Sequence, residues 1–490
     1  MSPSSLAAST LAVIDMGSNS FRLELGRVEA GQIYRLDTWR ETLRMGAALD
    51  ARGRLTRHSQ RAALACLARF AERLRGLHPS AVRAVATNAF RVAANAAEFL
   101  ASAERTLGFP IDVITGREEA RLIYVGVAHV LPPASEPRLV IDIGGGSTEF
   151  IIGLGPDALQ LESLDIGCVG MTQRFFADGS LSGAAFKAAE TAARSEIEAL
   201  ASTFGRAHWG AAYASSGTAL ALADILEQNG YSAAGITIAG LLALRKRMIR
   251  AGHVRELHLA ALKSERAPVL AGGLALMVAA MQELEVDRID PVGGALRLGV
   301  LYDLLGRTVH QDAREATVEQ FATRYRVDRA QAERVATLTV AIYQKLGAGP
   351  EATAIRQLRW AALLHESGFS VSHTGFHKHG AYILQNADMP GFSAREQQRL
   401  SFLVLGCRGG LDKMAPALVD VTFRAQLFAL RVAVLLHHSR REIALPRWHA
   451  AMVPKLCFAL PVQWRNAHPL TMYLLAREST QWSEAGFGWR

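Results

Sequence analysis

The chain has 490 residues, of which half are hydrophobic and a fifth are charged, and its formal net charge is +9 at pH 7. This composition is typical of globular domains and excludes a chain that is disordered throughout. At roughly 150 residues per domain, the length predicts about three domains.

The charge is distributed unevenly along the chain. Residues 1–306 contain 31 Lys and Arg and 31 Asp and Glu, whereas residues 307–490 contain 23 and 14. A basic final third favours a polyanionic partner or a long acidic substrate, although a basic solvated surface without a partner is the plain alternative. Nucleic acid is not expected, because the excess comes without a lysine-rich tail, an aromatic stacking motif or zinc-finger spacing.

The apolar runs and the cysteine spacing indicate where in the cell the protein is expected. The longest apolar run, residues 267–281, has fifteen residues, and a membrane span needs ~20, so we predict a buried helix and no membrane partner. A secretory signal has a basic stretch followed by an apolar segment, and the first residues of this chain do not show that pattern. The four cysteines form no Cys-x-x-Cys pair, which argues against a zinc site or a disulfide framework; they are Cys66, Cys168, Cys407 and Cys457. We therefore expect a cytoplasmic protein.

A strand–turn–strand pattern occurs twice in the first 150 residues. Asp15 and Asp142 each end an apolar strand, precede a glycine-serine turn and are followed by a second apolar strand, and they are 127 residues apart. Two copies in matched context predict a duplicated domain, with its boundary in the proline-rich stretch 131–137.

Strands alternate with helical segments up to about residue 306, and amphipathic helical patterns follow. The first pattern predicts an α/β fold and the second an all-α region. We expect domains at residues 1–133, 134–306 and 307–490. Whether the last of these contains a small subdomain from about residue 446 is left open.

The two glycine-serine turns are candidate phosphate sites. Such turns point successive backbone N–H groups at one spot, and small residues let a phosphate approach the main chain. A single copy would be an ordinary hairpin turn, but two copies with Glu149 just beyond the second favour phosphate binding. Asp15 and Asp142 could hold Mg²⁺ directly or through water. The predicted phosphate-binding turns are Gly17, Ser18, Asn19 and Ser20, and Gly144, Gly145, Gly146 and Ser147.

Two further residues could act on a bound phosphate. Thr115 and Glu118 match a capping box that opens a helix, which places Glu119 in the first turn, where the helix dipole favours an ionised carboxylate. Glu119 is then a candidate general base, although the residues alone favour a structural role in stabilising the helix. Arg91 follows a strand, and its guanidinium matches phosphate oxygens.

A histidine cluster lies in the final third. A metal-dependent His-Asp phosphohydrolase needs an upstream histidine and a His-Asp pair, whereas this chain has His365-Glu366 and no histidine at residues 311–364. We therefore expect no metal there. The later histidines lie near Lys378 and Arg408 and are expected to contact an anionic chain.

Taken together, these segments resemble the exopolyphosphatase and guanosine pentaphosphate phosphohydrolase family. The resemblance covers nearly the whole chain. It is carried by residues 15–20, 87–91 with Asn95, 116–123, 142–149, 167–169, 216–218, 294–302 and 377–386. It implies an actin-like fold of two RNase H-type domains, followed by a helical region similar to His-Asp phosphohydrolases. It also implies Mg²⁺ as cofactor, release of terminal phosphate and a homodimer.

The resemblance also implies roles for individual residues. Glu119 corresponds to the catalytic base, which reverses the preference for its structural role. Asp142 and Glu149 correspond to the acids around the metal and the attacking water, with Asp15 as a further metal candidate. Arg22 and Arg91 join the turns in the phosphate cradle. Candidates for contact with a polyphosphate chain are His377, Lys378 and His379. The chain departs from the family at Gly293 and Leu298, where relatives carry acidic residues.

The expected function is that of an exopolyphosphatase, which hydrolyses the terminal phosphate of inorganic polyphosphate. The nearest alternative is a guanosine pentaphosphate 5′-phosphohydrolase, and the basic final third favours the polymer over the nucleotide. An actin-like sugar kinase or ATPase, with residues 292–295 as an adenosine loop, is a second alternative. The third is a non-catalytic sensor of polyphosphate or of the nucleotide.

Overall fold

The computed structural model describes residues 10–29, 31–293, 295–308, 312–347, 351–452 and 456–489. The chain divides into two compact units, unit 1 (Met1–Asp312) and unit 2 (Ala313–Arg490). The division lies slightly after the predicted boundary at residue 306, because one continuous helix, Ala295–Thr308, runs through that position. Among the described residues, no helix is both long enough and apolar enough to cross a membrane.

Unit 1 begins with a five-stranded mixed sheet in the order β3-β2-β1-β4-β5. Strands β3, β2 and β1 are antiparallel, whereas β4 and β5 run parallel to β1. Its apolar residues, including Ile14 and Phe21, pack against the helices on one face. The strands are β1 (Thr10–Met16), β2 (Ser20–Glu29), β3 (Gln32–Thr42), β4 (Val82–Ala86) and β5 (Ile111–Val113).

A second sheet repeats this arrangement in the order β8-β7-β6-β9-β11, with β10 added at the far edge. Strands β8, β7 and β6 are antiparallel, and β9 and β11 run parallel to β6. The shared order confirms the predicted duplication and the actin-like fold class. The strands are β6 (Arg138–Ile143), β7 (Thr148–Leu154), β8 (Asp157–Leu164), β9 (Ala211–Ser215), β10 (Ile236–Thr237) and β11 (Arg288–Val292).

The helices of unit 1 include one that is buried along most of its length. This helix, α10, contains the apolar run of residues 267–281, and its residues from Val269 to Met281 are buried, as predicted. The helices are α1 (Arg57–Arg73), α2 (Asn88–Val92), α3 (Ala96–Leu107), α4 (Gly116–Ala128), α5 (Cys168–Phe175), α6 (Gly183–Ile197), α7 (Ala201–Phe204), α8 (Gly217–Gln228), α9 (Ile238–Ala251), α10 (Ala267–Glu283) and α11 (Ala295–Thr308).

Helices α4 and α11 form a layer between the two sheets. Helix α4 packs on β7 and β8 of the second sheet, and α11 packs on α4 and on β1 of the first. Their apolar residues, such as Ile123 and Val300, share one core with Val13 of the first sheet and Ile151 of the second. Helix α4 precedes the predicted boundary at residue 133, but it packs on the second sheet. The two halves of the duplication therefore share one core at this layer.

A buried ionic network joins this helical layer to β4. Asp303 of α11 accepts hydrogen bonds from Arg83 and Arg121 at 2.5 Å each and from Arg307 at 3.0 Å. Burial opposes ionisation of Asp303, but the three guanidinium groups outweigh it and hold the pKa of this carboxyl well below its usual range. Glu118 accepts both hydrogen bonds of a fork from Arg121, at 2.7 and 2.9 Å.

Unit 2 is helical, as predicted, except for one short antiparallel pair of strands among its described residues. Helix α17 runs through its core and is buried at eleven positions. The elements are α12 (Ala313–Arg324), α13 (Arg329–Leu346), α14 (Ala352–Leu364), α15 (Phe376–Asn386), α16 (Ala394–Gly406), α17 (Val421–Leu436), β12 (His449–Ala451), β13 (Cys457–Ala459), α18 (Val462–Ala467) and α19 (Pro469–Glu484).

The segment from about residue 446 does not form a separate subdomain. The ring of Phe428 on α17 lies 5.4 Å from that of Trp482 and 5.0 Å from that of Trp489, centroid to centroid. Glu478 of α19 also accepts a buried hydrogen bond from Arg431 of α17 at 2.7 Å. The C-terminal residues thus complete the same core as the preceding helices.

We expect Asp303→Asn to destabilise unit 1 by about 3–5 kcal/mol, because it removes the buried negative charge to which Arg83, Arg121 and Arg307 donate, and removing one partner of a buried ion pair costs about this much. Urea unfolding should shift to a lower midpoint. Glu29→Gln is the control, since its partner Arg27 and Glu29 itself are each 46% exposed, and such a pair contributes about 0–1 kcal/mol. An unchanged midpoint for Asp303→Asn would contradict the structural role of the network.

Candidate functional site

A cavity of about 210 Å³ lies where the two glycine-serine turns meet. All eight residues predicted for the two turns line it, and so do Asp15, Asp142, Arg22 and Glu119. The two hairpins thus bring together side chains that are more than a hundred residues apart in the sequence. The tertiary structure therefore places the two turns at one cavity.

The two turns touch each other, which explains the need for glycine. A Cβ atom added at Gly146 would lie 2.3 Å from Asn88 Oδ1 and 2.9 Å from Ser18 Oγ, and one added at Gly145 would lie 3.3 Å from Asn19. A side chain at Gly146 would force the turns apart. Glycine has no Cβ atom, so it allows the two turns to face the same small cavity.

The duplicated hairpins place charges of opposite sign at equivalent positions. Asp15 pairs across its hairpin with Arg22, and Asp142 pairs across the second hairpin with Glu149. Arg22 and Glu149 therefore correspond to each other in the duplication. One hairpin supplies an aspartate and a cation, while the other supplies two carboxylates.

A serine hydroxyl holds each carboxylate of the second hairpin. Ser215 Oγ donates to Asp142 Oδ2 at 2.6 Å, and Ser163 Oγ donates to Glu149 Oε1 at 2.9 Å. Burial and the charges of Glu119 and Asp15 raise the pKa of Asp142 to about 7, although the Ser215 bond opposes this. Burial, Glu119 and Asp142 also raise the pKa of Glu149 well above its ordinary value.

Glu119 lies in the first turn of α4, as predicted, with the helix capped by Thr115 Oγ1 accepting from Glu118 N at 3.2 Å. Arg91 Nη1 donates to Glu119 Oε2 at 2.8 Å and to the Ile114 carbonyl at 3.1 Å. Burial raises the pKa of Glu119, while Arg91 opposes the rise. The second amino group of Arg91 is buried without a hydrogen-bond partner among the described residues.

Two cavity-lining arginines were missed by the sequence analysis. Arg297 donates to Glu24 Oε2 at 3.0 Å and lies 3.5 Å from Asp15 Oδ2. The guanidinium of Arg266 lies over Gly217, where an added Cβ atom would be 1.8 Å from Nη2. Burial and Arg297 lower the pKa of Arg22 to about 10. No turn or motif marks Arg266 in the sequence, because it reaches the cavity through the packing of α10.

Further predicted positions divide between the cavity and unit 2. The turn at residues 216–218 and Gly293, one of the two departures from the family, line the cavity. His365 is buried in unit 2, and its neighbour Glu366 accepts from Arg440 at 2.7 Å. His377, Lys378 and His379 lie on α15 of unit 2 and not in the cavity of unit 1.

The carboxylates of the cavity could hold a cation. Among the described residues, no group of three or more His, Cys, Asp or Glu side chains is arranged to bind a metal ion. Mg²⁺, however, usually takes one or two protein carboxylates and keeps water and substrate phosphates as its other ligands. The charges of Glu119 and Asp15 both raise the pKa of Asp142, which means that these carboxylates repel one another when ionised, and a bound divalent cation would offset that repulsion.

Comparisons with known proteins agree with this arrangement. The model of the Ppx/GppA phosphatase family matches residues 26–308, and the model of Ppx/GppA phosphatase domain III matches residues 313–479. The Aquifex aeolicus member of that family is 25% identical, with a TM-score of 0.51 over 61% of this chain and 99% of its own. An exopolyphosphatase from Cytophaga hutchinsonii is 24% identical, with a TM-score of 0.54 over 61% of this chain and 98% of its own. These matches, and the cavity between its duplicated hairpins, show that the chain belongs to the Ppx/GppA phosphatase family and is a phosphohydrolase.

Proposed function

We propose that the protein is an exopolyphosphatase that hydrolyses the terminal phosphate of inorganic polyphosphate with Mg²⁺ as cofactor. The observation that carries the proposal is the convergence of two glycine-serine turns, three arginines and buried carboxylates on one small cavity. Turns and arginines bind phosphate oxygens, and carboxylates can hold a cation and accept a proton from water. The homodimer implied by the family resemblance stays a prediction, and so does the cytoplasmic location expected from the cysteine spacing.

In this mechanism the two turns bind the terminal phosphate through backbone N–H groups. Arg22, Arg266 and Arg297 add positive charge for the phosphoryl oxygens. The unpartnered amino group of Arg91 offers one more donor beside Glu119. Positioning and charge stabilisation of this kind supply most of the catalysis in phosphoryl transfer.

Glu119 accepts the proton of the attacking water. Burial raises its pKa towards the working pH, and a general base is most effective in that range. Asp142 and Glu149, held by Ser215 and Ser163, orient the water and would ligate the cation, with Asp15 as a further ligand. Bound Mg²⁺ would neutralise the charge that develops on the phosphoryl oxygens.

Two observations support the polymer as substrate. The cavity volume of about 210 Å³ is below the ~300–1,000 Å³ of pockets that enclose drug-sized ligands, so it suits the end of a phosphate chain. Residues 307–490 carry the whole net positive charge. Guanosine pentaphosphate is the second candidate, because Ile123, Leu220 and Leu296 give the cavity an apolar side that could contact a base.

We expect Glu119→Gln to lower kcat by roughly 10²–10⁴-fold, since the amide cannot accept the proton of water. Phosphate release from polyphosphate with Mg²⁺ measures this. Glu196→Gln is the matched control, because Glu196 is exposed on α6 and does not line the cavity; it should retain wild-type kcat. Wild-type turnover in Glu119→Gln would rule out the assigned base.

The choice between polymer and nucleotide is tested by kcat/KM for long-chain polyphosphate and for guanosine pentaphosphate, each with Mg²⁺ and with chelator. We expect the polymer to be favoured by at least about tenfold, a difference of 1.4 kcal/mol in transition-state binding, and chelator to abolish both activities. Preference for the nucleotide would assign the second candidate function. Binding of either substrate without phosphate release would indicate a sensor.

The raised carboxyl pKa values predict how stability depends on pH in the metal-free protein. The carboxyl groups of Asp142 and Glu149 ordinarily have pKa values of 3.8 and 4.5, and folding raises both pKa values, that of Asp142 to about 7. The contribution of Asp142 to stability is therefore full below about pH 4 and is lost as the pH rises through about 7. The contribution of Glu149 has the same sign, because its pKa is also raised on folding. Mg²⁺ binds the ionised forms, so it should raise Tm more at pH 8 than at pH 5.

Thermal unfolding of the wild type and of Asp142→Asn, each with Mg²⁺ and with chelator, measures this linkage. The variant should show a smaller response of Tm to Mg²⁺ at pH 8. An equal Mg²⁺ response at both pH values, or an unaltered response in the variant, would count against a cation site at these carboxylates.

A further inference from the structure

One side chain beside the cavity has no role in the proposed mechanism, although it connects the two halves of the duplication. Asn88 begins α2, just after β4 of the first sheet, and is only 7% exposed. Its Nδ2 atom donates to Asp165 Oδ1 at 2.7 Å. Asp165 directly follows β8 of the second sheet. This hydrogen bond therefore joins the first half of the duplication to the second.

The start of α2 touches both glycine-serine turns. The amide group of Asn88 lies against the second turn, since a Cβ atom added at Gly146 would be 2.3 Å from Asn88 Oδ1 and 2.9 Å from its Cγ. The next backbone amide, that of Ala89, donates to Ser18 Oγ of the first turn at 3.2 Å. Two consecutive residues thus span the space between the turns, and their position determines how far apart the turns lie.

Asp165 lies on a loop that is attached to the second turn. Thr148, which follows that turn, donates through Oγ1 to the carbonyl of Ile166 at 2.6 Å. A Cβ atom added at Gly167 would lie 2.5 Å from the carbonyl oxygen of Gly145, so the loop and the turn are in direct contact. The loop and the second turn therefore form one packed body, which Asn88 holds through Asp165.

The two ends of this contact differ in their surroundings. Asp165 is exposed, whereas Asn88 is buried. The apolar core that α4 and α11 share with both sheets does not include Asp165. A substitution at Asp165 therefore removes the hydrogen bond without opening a cavity in the core, which makes this end of the contact suitable for mutagenesis.

We propose that Asn88 and Asp165 are positioning residues for the phosphohydrolase reaction, and that their hydrogen bond holds the two glycine-serine turns together in the arrangement that binds phosphate. Without it, a smaller fraction of molecules presents both turns at once. The affinity for substrate falls with that fraction. Bound phosphate draws the turns together again, so turnover at saturation is retained. The inference rests on the phosphate-binding role of the turns in the proposed function.

Asp165→Ala removes the hydrogen-bond acceptor. We expect it to raise KM by about tenfold, the contribution of one hydrogen bond to a charged group, and to leave kcat within about twofold of wild type. Phosphate release from long-chain polyphosphate and from guanosine pentaphosphate measures both constants. A purely structural role would lower the active fraction, and hence kcat, without changing KM. That result, or wild-type values of both constants, would overturn the proposal.

Asp165→Asn is the conservative variant, because its amide oxygen can still accept from Asn88 although the charge is lost. Its KM should stay within about threefold of wild type. A KM as high as that of Asp165→Ala would mean that the charge matters and the hydrogen bond does not, which contradicts the proposal. Asp224→Ala is the matched control, since Asp224 is exposed on α8 and does not line the cavity; both constants should be unchanged.

A double-mutant cycle shows whether the two residues act through each other. Asn88→Ala should also raise KM, and combining it with Asp165→Ala should raise KM no further, because the second change removes a contact that is already lost. Effects that multiply in the double variant would count against the contact.

Hydrogen exchange tests the proposal without any substrate. The backbone amide of Ala89 donates to the first turn, so it should exchange about tenfold faster in Asp165→Ala, and Asp165→Asn should restore slow exchange. Mass spectrometry of the peptide that contains Ala89 measures this. Faster exchange in a protein that releases no phosphate would support this inference and contradict the proposed function. Unaltered exchange in an active enzyme would overturn this inference alone.

Discussion

The buried carboxylate of Asp303, surrounded by three arginines, is the interaction on which the geometry of unit 1 depends. It joins α11 to β4 of the first sheet through Arg83 and to α4 through Arg121. Helix α4 also packs on the second sheet and begins with the turn that carries Glu119. Because a buried ion pair is costly to separate, the network fixes this turn relative to both hairpins. The position of the proposed base is thus set from a point outside the cavity.

The duplication produces two hairpins with the same register, and one pair of equivalent positions carries opposite charges. This difference in charge gives the two hairpins different roles. Arg22 and Glu149 occupy equivalent positions, yet one is a cation that lines the cavity and the other a buried carboxylate. The first hairpin therefore favours binding of an anion, and the second favours binding of a cation and the acid–base chemistry. The glycines of both turns permit the close approach that places these functions side by side.

Unit 2 has its own core, which is closed by Trp482 and Trp489 against α17. Its acidic side chains are largely engaged with arginines, as in the pairs Arg431–Glu478 and Arg440–Glu366.

The sequence alone determined the features that depend on neighbours along the chain. It predicted both hairpins, the phosphate turns, the cap of α4 at Thr115, the buried helix α10 and the helical character of unit 2, because turn chemistry and hydrophobic periodicity are local. It left the role of Glu119 ambiguous, since an acidic first turn has a structural explanation. Only the tertiary structure brought Ser163 and Ser215 to the carboxylates, and Arg266 and Arg297 to the cavity. These contacts join segments distant in sequence, and their packing leaves no local pattern to find.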